Sequence, residues 1–256
     1  MQTSRTQAIT ETEIKEFMRL LVGQAKCYPI IYKYLTFESG CQMLSYNNIQ
    51  FTRGDKLNDS EDLNMSKFDI KSPRMLCEDV GISMDVVDKK IKEQSKILPS
   101  FGVCSLGISP FNSILWERYS CNKEGYEDGI CIGLNQSKII RYLISQNIKV
   151  ACILVRYEEN ATNSIPWLTQ NATSPVKIFT GYRFFSSKNA YPWKSEQEIR
   201  LIYPQTMEEE YERFILPKDC FVSVHYGKDM ALVQKEKVSR IIIRNLPKIK
   251  RIPRMP

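Results

Sequence analysis

The sequence predicts an α+β protein: a single domain in which a mixed, mainly antiparallel sheet is flanked by helices. The chain has 256 residues, of which 43% are hydrophobic, and this is enough to bury one large core. The predicted strands and helices do not alternate regularly, which argues against a parallel sheet built from strand–helix–strand units. No glycine-rich turn joins a predicted strand to a predicted helix, so a doubly wound nucleotide-binding fold is disfavoured.

The first predicted element is a helix. Thr10 and Glu13 have the spacing of a capping box, and apolar residues follow at helical spacing as far as Leu21. We therefore assign residues 1–27 to an N-terminal helical extension and residues 28–244 to the single α+β domain.

The remaining strands are predicted from short apolar or β-branched runs, and the helices from 3.6-residue periodicity. The predicted strands are 28–35, 49–52, 103–108, 129–134, 150–157, 176–185, 196–203, 221–225 and 239–244. The predicted helices are 38–46, 83–95, 112–119, 137–145 and 229–236. The turn-rich segments 53–65 and 164–175 are predicted to be loops.

The cysteine pattern and the hydropathy predict a cytoplasmic protein. The eight cysteines are scattered and form no Cys-x-x-Cys pair, so free thiols are expected, with no metal site. The polar N-terminus lacks the apolar core of a secretory signal. No window approaches the roughly 20 apolar residues of a membrane span, so no membrane association is expected.

The chain has a net charge of +7, and its C-terminal end is strongly basic. Five basic residues lie there with no acidic residue among them: Arg244, Lys248, Lys250, Arg251 and Arg254. We expect residues 245–256 to form a basic tail, which is either solvated and frayed or a patch that binds nucleic acid or phosphate. The sequence does not indicate the oligomeric state.

The segment 193–203 carries the sharpest chemical signal. If it is a strand, alternation places Glu196, Glu198 and Arg200 on one face and apolar residues on the other. Two carboxylates on one face repel, so one would have a raised pKa while the other pairs with Arg200. Such a pair suits stabilisation of a cationic sugar transition state beside a polarised acceptor. The same spacing also fits a solvated strand face that carries an ordinary ion-pair ladder.

Two aromatic residues, Trp116 and Tyr119, share one face of the predicted helix 112–119. Their rings could form a wall against which a base or another flat ring stacks. Packing in the core explains the same spacing equally well.

The motif Tyr32-Lys33-Tyr34 lies in the first predicted strand of the domain. Alternation places both tyrosines on one side and Lys33 on the other. Lys33 is therefore either a phosphate-binding group or an exposed strand lysine.

The acidic loop that contains Asn58, Asp59 and Asp62 could bind a divalent metal or hydrogen-bond a ribose. It could equally be an Asx turn that binds its own backbone. The lone histidine, His225, lies in an apolar predicted strand, and we interpret it as a core or edge residue.

In chain order, these motifs resemble a bacterial family, domain-of-unknown-function family 2971. The resemblance spans about residues 30–244 and rests on six segments: 32–34, 57–62, 115–119, 129–133, the W-x-x-E-x-E-x-R segment 193–200 with Lys188 before it, and 221–227. Arg118 replaces the family's usual histidine, and Ser60 and Glu61 replace its usual Pro-Phe. If the family's histidines are catalytic, this chain would be altered or inactive.

A weaker analogy links the chain to ADP-ribosyltransferase-like folds. Lys33, then Trp116 with Tyr119, then Glu196 with Glu198 follow the order of the basic strand, aromatic element and late E-x-E strand of those folds. In such enzymes the late glutamate contacts the nicotinamide ribose, and aromatic rings pack on the nicotinamide.

These resemblances lead to three hypotheses. The first is an NAD-using ADP-ribosyltransferase-like enzyme or glycohydrolase, acting as a toxin or a phage-defence effector. Its catalytic residues would be Glu198, with Glu196 as the partner that polarises the acceptor. Its nucleotide-binding residues would be Lys33, Tyr34, Asn58, Asp59, Trp116, Tyr119 and Arg200. The second is a non-catalytic module that binds protein or nucleic acid. The third is a metal-dependent nuclease that uses Asn58, Asp59, Asp62 and Glu198.

Overall fold

The structure is a computed structural model that describes residues 27–59, 62–63, 83, 85, 89, 98–158 and 185–253. The predicted N-terminal helix and the predicted loop 164–175 lie outside these residues. So do most of the predicted helix 83–95 and all of the predicted strand 176–185 except its last residue.

Nine strands of the described chain form one mixed sheet, and two more form a small parallel pair. The strands of the large sheet are β1 (Ile30–Leu35), β2 (Asn48–Arg53), β3 (Phe101–Gly107), β4 (Ile130–Asn135), β5 (Ala151–Leu154), β8 (Glu198–Thr206), β9 (Tyr211–Ile215), β10 (Phe221–Tyr226) and β11 (Lys250–Pro253). The small pair is β6 (Arg156–Glu158) and β7 (Ser187–Asn189). All contacts in the large sheet are antiparallel except β10 with β11. The predicted α+β class with a mainly antiparallel sheet is confirmed.

Two strands, β1 and β2, share one edge of β3, and the sheet divides between them. One edge of β3 pairs with β8 from Phe101 to Gly107. The other edge is shared, because β1 pairs with it only at Gly107 and β2 pairs with it only at Gly102 and Val103. The strands β1 and β2 therefore separate beside the middle of β3. The strand order is β11–β10–β4–β1–β3–β2–β9, and β8 and β5 extend from the opposite edge of β3.

A four-residue helix, Ala190–Trp193, follows β7. Four longer helices of the described chain pack around the sheet: α1 (Phe37–Tyr46), α2 (Ser113–Tyr119), α3 (Gln136–Ser145) and α4 (Leu232–Asn245). Thr36, Asn112 and Asn135 cap the first three, because each side-chain oxygen accepts a hydrogen bond from a backbone N–H of the first turn. α1 packs against α4, and their apolar faces join the buried face of the sheet in the main core. No helix in the described part of the chain is both long and apolar enough for a membrane crossing.

Three predicted elements are wrong. The predicted helix 229–236 and strand 239–244 are parts of one helix, α4, in which Val238 and Ile242 are buried four residues apart. The β-branched run at its end suggested a strand, but its burial has helical spacing. The predicted strand 150–157 is two strands, β5 and β6, which belong to different sheets. β9 was not predicted, because its charged and exposed residues give no apolar run.

The predicted basic tail is also wrong for the residues that the structure describes. Lys250–Pro253 forms β11, which pairs in parallel with β10. Leu246 and Ile249 are buried and anchor this strand to the core. Isolated apolar residues between lysines and arginines did not indicate this anchoring. Lys250 and Arg251 remain exposed at the edge of the sheet.

Candidate functional site

A cavity of about 220 Å³ lies where β1 and β2 separate along β3. Strand residues Lys33 and Ser105 line it together with Tyr119 of α2. Three acidic side chains, from Asp62, Glu196 and Glu198, also line it. The cavity therefore combines three carboxylates, three lysines (Lys33, Lys56 and Lys188) and an aromatic hydroxyl in the gap of a divided sheet.

Arg200 is the centre of a buried ion cluster behind this cavity. β8 lies between β3 and β5, so both of its edges are paired, and Arg200 is fully buried. Its Nε donates to Oε1 of Glu198 at 2.7 Å, and its Nη2 donates to Oε2 at 3.0 Å. Its Nη1 donates to Asp62 Oδ1 at 3.1 Å and to the Phe185 carbonyl, and its Nη2 also donates to Asp62 Oδ2. A planar guanidinium can pair with two carboxylates in this way, whereas an ammonium cannot.

Lys188 joins the three carboxylates to one another. Its Nζ lies 3.1 Å from Glu196 Oε2, 3.2 Å from Glu198 Oε2 and 3.6 Å from Asp62 Oδ2. Burial alone would lower the pKa of Lys188, but Glu198 and the other carboxylates outweigh burial and raise it. Lys188 therefore stays charged.

Arg118 completes the charge balance at the rim of the cluster. Its Nη1 lies 2.9 Å from Glu196 Oε1. Three carboxylates thus face three cations, Lys188, Arg118 and Arg200. The ring of Trp193 lies between two of them, with Arg118 Cζ 4.6 Å and Lys188 Nζ 4.3 Å from its centroid. These cation–π contacts hold both cations toward Glu196.

The backbone before β8 explains how Glu196 and Glu198 reach the same lysine. Glu196 ends the 3-10 helix Lys194–Glu196, and Gln197 follows in the left-handed conformation with φ 49°. The predicted strand 196–203 therefore begins two residues later than expected. Asn112 fixes the turn, because its Nδ2 donates to the carbonyls of Ser195 at 2.7 Å and Glu196 at 3.1 Å.

Glu198 is held as a permanently ionised carboxylate. Burial alone would raise its pKa, but the charges of Arg200 and Lys188 outweigh burial and lower the pKa to about 2. Hydrogen bonds from Arg200 and Ser105 act in the same direction. With these donors in place, Glu198 supplies a fixed negative charge and does not exchange protons near neutral pH.

Glu196 is hydrogen-bonded to Tyr119 of α2. The Tyr119 hydroxyl donates to Glu196 Oε1 at 2.9 Å and accepts from Asn58 Nδ2 at 3.4 Å. Burial and the neighbouring Glu196 charge raise the pKa of Tyr119, so its hydroxyl stays protonated. Glu196 thus receives three donors in the described residues, from Tyr119, Arg118 and Lys188, whereas a carboxylate can accept about four.

The ionisation of Glu198 predicts an acid-sensitive fold. Its pKa is about 2 when folded against an ordinary value of 4.5, so its contribution is complete above about pH 4.5 and is lost as pH falls toward 2. We expect the unfolding free energy to lose about 2 kcal/mol from this group between about pH 6 and pH 3. Urea unfolding at both pH values checks this. If the Glu198→Gln variant lost the same unfolding free energy between these two pH values, the result would contradict this prediction.

The Tyr119 hydrogen bond predicts a smaller effect on stability. Tyr119→Phe should lower the unfolding free energy by about 1 to 2 kcal/mol, because the buried carboxylate of Glu196 loses one donor. Tyr126→Phe, at a tyrosine that is 59% exposed, is the matched control and should change stability by less than about 0.5 kcal/mol. Equal effects of the two substitutions in urea unfolding would exclude a specific Tyr119–Glu196 bond.

The cavity brings together six of the nine residues predicted for the site: Glu196, Glu198, Lys33, Tyr34, Asn58 and Tyr119. Asp59 is not among the lining residues. The interpretation of 196–200 as a solvated ion-pair ladder is wrong, since Glu196, Glu198 and Arg200 are all buried. The prediction of a raised pKa for one carboxylate does not apply to Glu198, whose pKa is lowered.

Two predicted ligand contacts need correction. Trp116 is fully buried, its ring packs edge-on against Tyr34, and its Nε1 donates to the Pro110 carbonyl at 2.9 Å. It belongs to a core cluster with Leu115 and cannot stack on a ligand there. Arg200 is equally buried, and its guanidinium is occupied by two carboxylates, so it cannot hold phosphate.

Three important residues were not predicted as nucleotide-site residues: Asp62, Lys188 and Arg118. Asp62 entered only as a metal ligand, and its actual partner, Arg200, is 138 residues away along the chain. Lys188 and Arg118 appeared only in the family motifs. One feature of the sequence could have indicated these residues. An apolar strand carries two opposite charges at positions i and i+2, and buried charges require partners of opposite charge.

His225 matches its interpretation as a core residue. It is 4% exposed, its ring contacts Tyr32 and Phe111, and its Nε2 lies 3.1 Å from Ser223 Oγ. Burial lowers its pKa, so it is neutral at pH 7.

No protein-family model matches the chain, and no curated protein sequence matches it. Two solved structures are similar to it, both of DarT from Thermus sp. 2.9, one in complex with NAD+ and one in complex with carba-NAD+. Each is 9% identical and covers 89% of this chain and 96% of the DarT chain, with TM-scores of 0.38 and 0.35. Scores this low do not establish a shared fold, so we base the function on the cavity alone. The resemblance to domain-of-unknown-function family 2971 stays a prediction.

Proposed function

We propose that the chain is an NAD-consuming enzyme that cleaves the bond between nicotinamide and ribose and passes the ADP-ribosyl group to water or to an acceptor. The observation that carries this proposal is the fixed, ionised carboxylate of Glu198 in the wall of a cavity at the division of the sheet. Perturbed, buried charges that line a cavity are typical of functional sites.

The charge distribution of the cavity supports a ligand that is itself a dipole. NAD joins a cationic nicotinamide riboside to an anionic diphosphate. Glu196 and Glu198 line the cavity with Lys188 between them, and Lys33 and Lys56 also line it. The carboxylates would face the riboside, and the lysines would face the diphosphate. The cavity volume of about 220 Å³ suits the riboside half of the dinucleotide.

The proposed reaction proceeds by loss of nicotinamide. The C1′–N bond breaks, its electron pair leaves with nicotinamide, and the positive charge moves from the ring to the ribose. A preorganised anion close to the ribose stabilises this transition state without having to reorient. Glu198 suits this role, because Arg200 and Lys188 fix its orientation and keep it ionised.

The acceptor would bind next to Glu196. Water or an acceptor hydroxyl attacks C1′ and loses its proton, which passes to Glu196 or to solvent. Glu196 could accept one more hydrogen bond beside those from Tyr119, Arg118 and Lys188, and this position would orient the acceptor. A cell that lost its NAD in this way would stop growing, as expected of a toxin or a phage-defence effector.

The two alternative functions have weaker support. In the part of the chain that the structure describes, no group of three His, Cys, Asp or Glu side chains is arranged to hold a metal ion. Asp62 and Glu198, two of the proposed nuclease ligands, are paired with Arg200 instead. A nucleic-acid-binding module would now use the exposed Lys250 and Arg251 of β11 in place of a tail.

Incubation of the full chain with NAD tests the proposal. Radiolabelled nicotinamide should be released over time, and the ADP-ribose moiety should appear free or attached to an acceptor present in the assay. Heat-treated protein is the control. No release of nicotinamide with water, protein or nucleic acid as acceptor would reject the proposal. Magnesium-dependent cleavage of nucleic acid would favour the nuclease instead.

A further inference from the structure

A second cavity, of about 390 Å³, adjoins the first one. Both cavities are lined by Lys33 of β1 and Thr52 of β2, the two strands that separate beside β3. The second cavity extends from this gap toward α1 and β9. The gap in the sheet therefore opens into two neighbouring cavities.

The two cavities differ in their formal charge. Three carboxylates and three lysines line the first cavity, so its formal charges balance, whereas no carboxylate lines the second one among the residues that the structure describes. The charged residues of the second cavity are Lys33 and Arg213. Amide side chains of Gln42, Asn48 and Gln50 add hydrogen-bond donors.

The register of β2 and β9 directs these groups to one face. Gln50 lies opposite Arg213 in the antiparallel pair, so their side chains leave the sheet on the same side. Asn48 lies two residues earlier on β2 and therefore shares that side. The ring of Tyr211 lies 4.4 Å from Arg213 Cζ and supports the guanidinium without neutralising it.

Lys33 connects the two cavities. It is half-buried, and its Nζ donates to the Ser105 carbonyl at 2.9 Å, across the gap between β1 and β2. An ammonium has three donors, so this contact leaves two for a ligand.

From this arrangement we propose that the second cavity is an anion subsite, in which Lys33 and Arg213 bind a phosphate group of the ligand that enters the gap. Two cations and several amides, with no carboxylate among the described lining residues, suit the recognition of a phosphate. The phosphate belongs either to the donor nucleotide itself or to an acceptor that meets it in the gap. The subsite is independent of the cleavage chemistry and can be tested by binding alone.

The test compares Arg213→Gln with Arg240→Gln, an exposed arginine on α4 that serves as the matched control for lost charge. Calorimetry with inorganic pyrophosphate and with ADP-ribose measures the dissociation constants. We expect Arg213→Gln to weaken pyrophosphate binding roughly threefold to tenfold and to reduce its salt dependence, as for one partly exposed charged contact. Arg240→Gln should bind like the wild type. A Lys33→Gln, Arg213→Gln double variant should lose detectable binding.

The competition arm identifies the source of the phosphate. If the subsite binds a phosphate of the donor nucleotide, saturating ADP-ribose will displace pyrophosphate. If the subsite binds a phosphate of an acceptor, pyrophosphate will bind equally well in the presence of ADP-ribose. No pyrophosphate binding to the wild type, or equal weakening by Arg213→Gln and Arg240→Gln, would overturn the subsite. Either result would leave the proposed cleavage of NAD untouched, because that is judged by nicotinamide release.

Discussion

Replacing Arg200 with methionine should lower the unfolding free energy by about 3 to 5 kcal/mol, the largest loss of stability that we expect from a single substitution in this chain. Methionine fills a similar volume but carries no charge. Asp62 and Glu198 would then remain buried with only Lys188 to compensate them. Urea unfolding, followed by circular dichroism, measures the loss.

Arg53→Met is the matched control for this prediction. Arg53 pairs with Asp55 at 2.6 Å, but both side chains are partly exposed, at 25% and 38%. Solvent screens such a pair, so the loss should be at most about 1 kcal/mol. Adding Glu198→Gln to Arg200→Met should recover part of the stability, since it removes one of the uncompensated charges. Equal losses at Arg200 and Arg53 would contradict the buried ion cluster.

Glu198→Gln should reduce the rate of nicotinamide release about 100- to 1000-fold, the range expected when one preorganised electrostatic group is removed. Glutamine keeps the shape but loses the negative charge that would face the ribose. Because the pKa of Glu198 is about 2, the wild-type rate should show no titration of this group above about pH 4.5. The assay is single-turnover release of labelled nicotinamide.

The substitution also disturbs the ion cluster, so activity has to be compared per folded molecule. The folded fraction of each sample is measured by circular dichroism under the assay conditions. Glu236→Gln, at an exposed glutamate on α4, is the control and should keep the wild-type rate. Full activity of folded Glu198→Gln would remove Glu198 from the mechanism.

Stability alone gives a poor explanation of the ion cluster. Burying charges costs several kcal/mol each, and replacing a buried ion network with apolar residues is often neutral or stabilising. Arg200 and Glu198 occupy a central strand whose other buried residues include Ile199 and Leu201. Glu198 lies in the wall of a cavity and Arg200 holds it from behind, and this supports a functional reason for keeping both.

Local patterns predicted most of the fold. Periodicity indicated α1, α2 and α3 to within about two residues, and apolar runs indicated β1, β2, β3, β4 and β10. The failures occurred where long-range contacts decide the structure. β9 is a strand because it pairs with β2, and β11 is a strand because it pairs with β10. The sequences of β9 and β11 alone do not indicate these partners.

The site was predictable only in part for the same reason. The alternation predicted that one of the two glutamates pairs with Arg200, and the structure shows that it is Glu198, while Glu196 lies before the strand. The division of the sheet, which creates the cavity, depends on how β1 and β2 share one edge of β3, and no local motif indicates it. The burial of Trp116, which lies in α2, depends on Tyr34 of β1 and Cys131 of β4.

The proposed reaction requires the riboside of NAD to bind beside Glu198 in the gap between β1 and β2. A crystal structure of the chain with an NAD analogue whose glycosidic bond cannot be cleaved tests this most directly. We predict that the nicotinamide ribose contacts Glu198 and Tyr119 and that the diphosphate points toward Lys33. An analogue bound elsewhere on the surface, with this cavity filled only by solvent, would contradict the account.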